Sequence, residues 1–201
     1  SQLTQWHLQL AQLMQQPDPT EFMTTLMESL RLWLNYDTGI VFVYQENQPP
    51  QALYDDYPEA VKNNAIVKYI DGMYLLDPFY NYFNKENSDK VCFMSQMAPD
   101  AFEETEFYQA YYRDLSITDE LCIFLPLKNK QTVVLSMARR LSQDSAQNSA
   151  QIKSQDNTQD YFQNEDVKQL NSLVPLLTSM CENLKLTSEK EIRHSAIHNA
   201  F

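Results

Sequence analysis

Glycine is almost missing from this chain: Gly39 and Gly72 are its only two among 201 residues. Loops that cradle phosphate need several glycines in fixed order. Neither a GxGxxG fingerprint nor a Walker loop can be written from this sequence. Histidine is nearly as scarce, at His7, His194 and His198. The last two stand four apart and would share a helix face, but no Glu follows His194, so the HExxH pattern of zinc proteases is absent. They also sit close to the end, where chains fray, and no metal site is expected there. No GxSxG elbow occurs and no histidine falls in a predicted core element, so a Ser-His-Asp triad or a Cys-His pair lacks its base. No cofactor is called for.

Cysteine is sparse and odd in number, at Cys92, Cys122 and Cys181. No CxxC pair exists, which excludes a zinc ribbon and a redox motif. Cys92 and Cys122 lie in apolar runs and read as small core residues, a usage that fits a reducing compartment. No apolar run approaches the roughly 18 residues of a membrane span, and no signal peptide opens the chain. A cytoplasmic location is expected, with no membrane partner. Positive charge is short as well: 15 Lys and Arg stand against 27 Asp and Glu, a net charge of −12. A duplex-binding surface needs clustered cations. The basic groups at 128–130 and at Arg139-Arg140 read as ordinary solvated surface, so this chain is not expected to hold DNA by itself.

Aromatic residues, in contrast, are plentiful, with 12 Tyr, 10 Phe and 2 Trp. Trp6, Leu10, Leu13 and Met14 recur at helical spacing. A second helix has a clear start in Asp18-Pro19-Thr20-Glu21, with Asp18 as cap, Pro19 in the first turn and Glu21 placed for a capping box. Phe22, Leu26, Leu30 and Trp33 mark one of its faces. The β-branched and aromatic run from Ile40 to Tyr44 reads as a strand buried on both faces. Gln48-Pro49-Pro50 breaks it, and 52–54 is a candidate return strand. Pro58 opens a helix through about 70, and Pro78 a short helix capped by Asp77. A strand is expected over 91–94, an aromatic helix over 104–115, and a hairpin from strands 121–127 and 132–138.

Residues 142–160 are Ser, Gln, Asp and Asn with little to bury, and read as a mobile polar loop. Asn164 is the expected cap of a last helix. In it Val167, Leu170, Val174, Leu177, Cys181 and Leu184 form a heptad-like stripe, which serves either as the face packed on a sheet or as a dimer seam. The order helices, hairpin, helices, hairpin, helix fits an α/β (α+β) fold. Its central sheet would be mostly antiparallel, of about five strands, with helices on both faces. GAF and PAS domains are similar in shape and use the space between sheet and crossing helices as a ligand cavity.

The most unusual string is Tyr74-Leu75-Leu76-Asp77-Pro78-Phe79-Tyr80. Asp before Pro is what a helix start wants, which accounts for Asp77 structurally. Functionally, Asp77 would point into an aromatic-walled cavity. Tyr54, Tyr57, Tyr69, Tyr74 and Tyr80, with Phe42 from the first strand, would supply flat apolar walls with polar tips. Asp77 and Glu120 in such a pocket would favour a cationic small molecule, such as an amine, through carboxylate pairing and cation–π contacts. The adjacent acids Asp55-Asp56 and Asp119-Glu120 are the candidates for paired-carboxylate chemistry. Both also sit where capping and solvation account for them.

LLDPFY resembles the sensory domains of LuxR-family regulators. More of the chain agrees: Ala98-Pro99-Asp100-Ala101-Phe102, Glu106-Phe107-Tyr108, Tyr111-Tyr112-Arg113-Asp114-Leu115, Thr118-Asp119-Glu120-Leu121, Met137-Ala138-Arg139-Arg140, and 162–175. The similarity runs over roughly 38–185. It implies a GAF-like fold that binds a small effector and controls an attached helix-turn-helix domain, usually as a homodimer. Among the acyl-homoserine-lactone sensors a tyrosine, a tryptophan and an aspartate hold the signal. Tyr57-Pro58, Tyr69 and Asp77-Pro78 are similar to that pattern, but the tryptophan is missing from the 57–69 helix, which argues against a lactone. The resemblance implies a ligand-sensing regulatory domain over 1–186. Residues 187–201 would then lead toward a DNA-binding domain absent from this chain. With Ser1 as its start, the chain reads as an excised sensor; a naturally shortened regulator that silences a full-length partner is the alternative.

Two other readings stand beside the sensor. A ligand-free dimerisation or interaction module would fill the cavity with its own aromatics. An enzyme would need Asp77, Asp119 and Glu120 to form one catalytic cluster. With no base or nucleophile otherwise in view, the chain is not expected to be an enzyme.

Overall fold

The computed structural model describes residues 2–16, 18–85, 90–141, 161–184 and 186, with the side chains of 2–5 and 7 left aside. The polar stretch 142–160, the segment 187–201 and with it His194 and His198 lie outside the described residues.

Five segments pair into one sheet: β1 (Thr38–Gln45), β2 (Gln51–Asp55), β3 (Val91–Phe93), β4 (Ile117–Pro126) and β5 (Gln131–Arg140). Their order is β2-β1-β5-β4-β3 and every pairing is antiparallel. The two-residue period of a strand sends alternate side chains to opposite faces. On β1, Ile40, Phe42 and Tyr44 face one way and Val41 and Val43 the other. On β5, Val134 and Ala138 oppose Val133, Leu135 and Met137. Both faces are covered, which is why β1 and β5 read as near-continuous apolar runs.

One face carries α1 (Gln2–Leu13), α2 (Pro19–Arg31) and α7 (Asn164–Glu182). Asp18 caps α2 by accepting the Glu21 N–H at 2.9 Å, and Pro19 occupies its first turn, as expected. Phe22, Leu26 and Leu30 are buried, whereas Trp33 lies edge-on to Trp6 at 5.6 Å and stays 40 % exposed. Gln163, not Asn164, is the cap of α7, in a reciprocal box with Asp166. Leu170, Leu177 and Cys181 of the heptad-like stripe are buried in the core under the sheet, with Val167, Val174 and Leu184 packed on its margin. Among the described residues no helix is long and apolar enough to cross a membrane.

The other face carries α3 (59–70), α4 (Pro78–Phe83), α5 (Met94–Met97) and α6 (106–112). The helix expected over 58–70 forms, but its middle, Asn63–Val67, is π-helical. Tyr108–Tyr112 in α6 is π-helical too, and the helix expected over 104–115 is shorter. Such insertions are rare and concentrate at functional sites. Gly72, at φ 153°, ends α3 in a conformation that favours glycine.

A β-bulge between Ile117 and Asp119 shifts the β4/β5 register. Because of it, Ile117 and Glu120 both reach the face under α3 and α6, while Asp119 turns to the opposite face.

Candidate functional site

Between the sheet and the α3–α6 layer lies a largely enclosed cavity of about 10 Å³, room for about one water molecule. Its floor is the even-numbered face of the central strands: Ile40, Phe42 and Tyr44 from β1, Glu120 and Cys122 from β4, and Ser136 from β5, with Ile117 at the bulge. Its roof is Tyr57, Tyr69, Asp77, Phe107 and Tyr111. Aromatic rings fill most of the space. Phe42 and Tyr69 stack at 4.8 Å, Phe107 and Tyr111 at 5.3 Å, and Tyr69 meets Tyr111 at 5.5 Å.

Two carboxyl groups face this space, one from each wall. Asp77 precedes Pro78 and caps α4, its Oδ1 accepting the Phe79 N–H at 2.8 Å. Its Oδ2 accepts the Tyr69 hydroxyl at 2.5 Å, and Tyr69 lies 2.7 Å, hydroxyl to hydroxyl, from Tyr44. Capping uses one oxygen, and the other bonds to Tyr69 at the cavity wall. Glu120, on the floor, accepts hydrogen bonds from the hydroxyls of Tyr112 and Ser136. The groups that hold both acids are neutral phenols, a hydroxyl and backbone amides.

Burial pushes the Asp77 carboxyl up to about 7; repulsion from Glu120 adds to the rise, and the bonds from Tyr69 and Phe79 oppose it. Burial also raises Glu120, against the bonds from Ser136 and Tyr112. The two titrate as a pair. With both carboxyls raised by burial, charging the two together in this site is unfavourable. Burial likewise raises the phenols of Tyr44, Tyr69, Tyr111 and Tyr112 and the thiol of Cys122, keeping all five protonated.

Of the residues singled out in the sequence, Asp77, Tyr69, Tyr57, Phe42 and Glu120 are brought together around the cavity. Tyr80 and Tyr74 stand one layer back, Tyr80 against Tyr44 at 5.1 Å and Tyr74 against Tyr80 at 4.8 Å. Tyr54 lies elsewhere: it pairs with Val41, packs on the opposite face of the sheet, and donates to Asp56 at 3.1 Å. Tyr44, Tyr111, Phe107, Ser136 and Cys122 join the site without having been singled out for it. Tyr44 shares strand parity with Phe42, and Ser136 pairs with both Ile40 and Cys122, so parity was the available signal.

The remaining acids do other work. Asp119, 1 % exposed, accepts the Ser95 N–H at 3.1 Å, the Ser95 hydroxyl at 3.2 Å and the Phe162 N–H at 3.0 Å. It clasps α5 and the approach to α7 to β4, and does not join Asp77 and Glu120. Asp56 takes the Arg31 guanidinium at 2.5 Å and the Gly39 N–H at 2.6 Å, while Asp55 pairs with Lys62 at 3.2 Å. The catalytic cluster of Asp77, Asp119 and Glu120 is thus not assembled. Among the described residues no group of three or more His, Cys, Asp or Glu could hold a metal ion.

No protein-family model and no curated protein sequence matches the chain. Solved structures do. The ligand-binding domain of VqsR from Pseudomonas aeruginosa superposes with a TM-score of 0.65 at 22 % identity, over 89 % of this chain and 94 % of that one. SdiA in complex with octanoyl-rac-glycerol gives 0.58 at 18 % identity, over 99 % and 78 %. The phycoerythrobilin-bound GAF domain of a cyanobacterial phytochrome gives 0.54 at 10 % identity, over 91 % and 95 %. These likenesses show a GAF-like fold shared with two LuxR-type sensory domains, in agreement with the resemblance in the sequence.

Proposed function

We propose that this chain is the effector-sensing regulatory domain of a LuxR-type transcriptional regulator, acting as a homodimer and governing an attached helix-turn-helix domain. The observation that carries the reading is the pair of acids, buried Asp77 and half-buried Glu120, on opposite walls of one aromatic cavity. A fold needs no such pair for stability; replacing buried charge by apolar groups is often neutral or stabilising. The likeness to SdiA supports a small-molecule ligand for a domain of this fold, since that protein is seen in complex with octanoyl-rac-glycerol.

The effector class that suits the site is a cationic amine. Ammonium N–H groups would satisfy the carboxylate oxygens, and an aromatic-lined cavity suits a cation. With room for about one water, the described state is the closed one. Binding requires the roof to rise, and the effector acts by favouring one roof position over another. That difference passes to the terminal helices and the dimer.

A second reading is favoured by the same small volume: a ligand-free interaction module whose cavity is filled by its own rings. A thermal-shift screen against amines, amino acids, acyl lactones and acylglycerols separates the two. A rise of several degrees with one class, lost in Asp77→Ala, supports the sensor. No shift with any class, together with a melting point that climbs with protein concentration, supports the module.

A further inference from the structure

The roof of the cavity consists of two pieces that meet along a seam. One is α3 with the turn leading to Asp77; the other is α6. Each contains a π-helical segment, Asn63–Val67 and Tyr108–Tyr112. Side chains join them. The Tyr111 hydroxyl donates to the Ala65 carbonyl at 2.6 Å, in the buried half of the seam. Toward solvent, the Lys68 ammonium donates to the Ala110 carbonyl and lies 3.2 Å from an Asp114 carboxylate oxygen.

Outside the seam is an open groove of about 730 Å³. Asn63, Val67, Lys68, Met73 and Leu76 border it from the first piece and Glu106 from the second. Val67 and Leu76 are 51 % and 43 % exposed, a wet apolar lip that the fold leaves uncovered. The groove and the cavity are one residue apart along the chain in three places: Lys68, Leu76 and Glu106 border the groove, and Tyr69, Asp77 and Phe107 line the cavity. The floor offers no comparable way in. β5 is paired along its whole length with β1 on one side and β4 on the other, so parting it would break two ladders. Gly72 stands at the end of α3 with nothing within 4 Å of where a Cβ would sit, and its φ of 153° is open to few other residues. Such a position absorbs a change in backbone angles when a lid moves.

We infer that the effector reaches Asp77 through the seam between 63–68 and 108–114, that the groove outside it is the vestibule, and that Lys68 is the latch holding the seam closed. This rests on the effector-sensing reading for its purpose, but the seam itself is testable without any effector. Cys122 lines the cavity floor, and Cys181 is buried under the opposite face of the sheet. A small thiol reagent, methyl methanethiosulfonate, therefore reads roof opening at Cys122 and global unfolding at Cys181, with the two distinguished by peptide mass.

In Lys68→Met the ammonium is gone and the apolar stem remains. Cys122 is expected to react about tenfold faster, the scale of one charge-assisted hydrogen bond, with Cys181 unchanged. In Val67→Trp the vestibule is plugged by a side chain on an exposed position, and Cys122 is expected to react several-fold more slowly on the order of magnitude. Hydrogen exchange of the unlabelled proteins should show 63–77 and 107–115 loosening in Lys68→Met while β1, β4 and β5 keep their protection. Equal acceleration at Cys122 and Cys181 would mean general destabilisation and overturn the latch. No change at Cys122 in either variant would place the way in elsewhere. Failure of the thermal-shift screen with a responsive Cys122 would sink the sensor and leave the moving seam standing.

Discussion

Replacing Asp77 with Asn is expected to stabilise this domain near pH 8 and to leave it almost unchanged near pH 3. In the folded protein burial and Glu120 push the Asp77 carboxyl up to about 7, from an ordinary value of 3.8. Between those limits the folded state keeps a proton that the unfolded chain has lost. The native state therefore binds more protons, and stability falls as pH rises from about 4 to about 7, then levels. About three pH units at 1.36 kcal/mol each bound the loss at about 4 kcal/mol. Coupling to Glu120 and local relaxation bring the expected loss to about 2–4 kcal/mol. Asn escapes this loss. It is a good helix cap, its oxygen can keep the Phe79 N–H, and its amide can donate to the Tyr69 hydroxyl, which then donates to Tyr44. Urea unfolding of both proteins at several pH values measures the difference directly. Near pH 8 the variant should exceed the parent by about 2–4 kcal/mol, or about 5–10 °C in melting temperature for a domain of this size. Parallel stability curves would refute the argument, because they would mean that the carboxyl is ionised without cost. The same variant should lose the effector response, so function here is bought with stability.

The neighbouring acid gives a companion test: Glu120→Gln removes the repulsion that ranks second to burial in raising Asp77, so the Asp77 carboxyl should titrate below about 7, as followed by carbon NMR. An unmoved midpoint would show that burial acts alone. Asp119→Ala orphans the Ser95 and Phe162 amides and should cost about 2–4 kcal/mol in urea unfolding. A cost under about 1 kcal/mol would mean that water replaces the clasp. Gly39→Ala places a Cβ 2.4 Å from the Met27 methyl and 3.4 Å from the Ser136 carbonyl oxygen. The methionine end must move within a packed layer, at about 1–3 kcal/mol; a negligible change in melting temperature would show that Met27 has room to swing.

Much of the fold was legible because period and punctuation agree. The run Ile40 to Tyr44, the Asp18-Pro19 start and the Asp77-Pro78 start each carry their own physical signal, and each forms as expected. The extra residue in a π-helical segment has no residue signature, so α3 and α6 read as ordinary helices. Tyr54 shows how register defeats composition. An irregularity of the β1/β2 pairing between Val41 and Phe42 sets Tyr54 opposite Val41 and Ala52 opposite Phe42, so the tyrosine takes the far face. Tyr44 was within reach by parity with Phe42, but an aromatic at a strand end looks like core until the opposing helices are placed. That Asp119 and Glu120 face opposite ways follows from strand geometry alone. Which of them faces the cavity was set by the bulge at 117–119, and bulges leave no trace in the residues that form them.

The alternation along β1, β4 and β5 also has a consequence for how such a domain changes over time. Side chains of one parity line the cavity and those of the other meet α1, α2 and α7, with a layer of backbone between. Substitutions that retune the cavity are thereby insulated from the packing that keeps the protein folded, and effector chemistry can drift while the scaffold stays put. The insulation is broken at one joint, where Glu120 and Asp119 are consecutive residues holding opposite sides. A variant at Glu120 acts beside the clasp on the approach to α7, and lineages that change their effector are expected to change these two positions together.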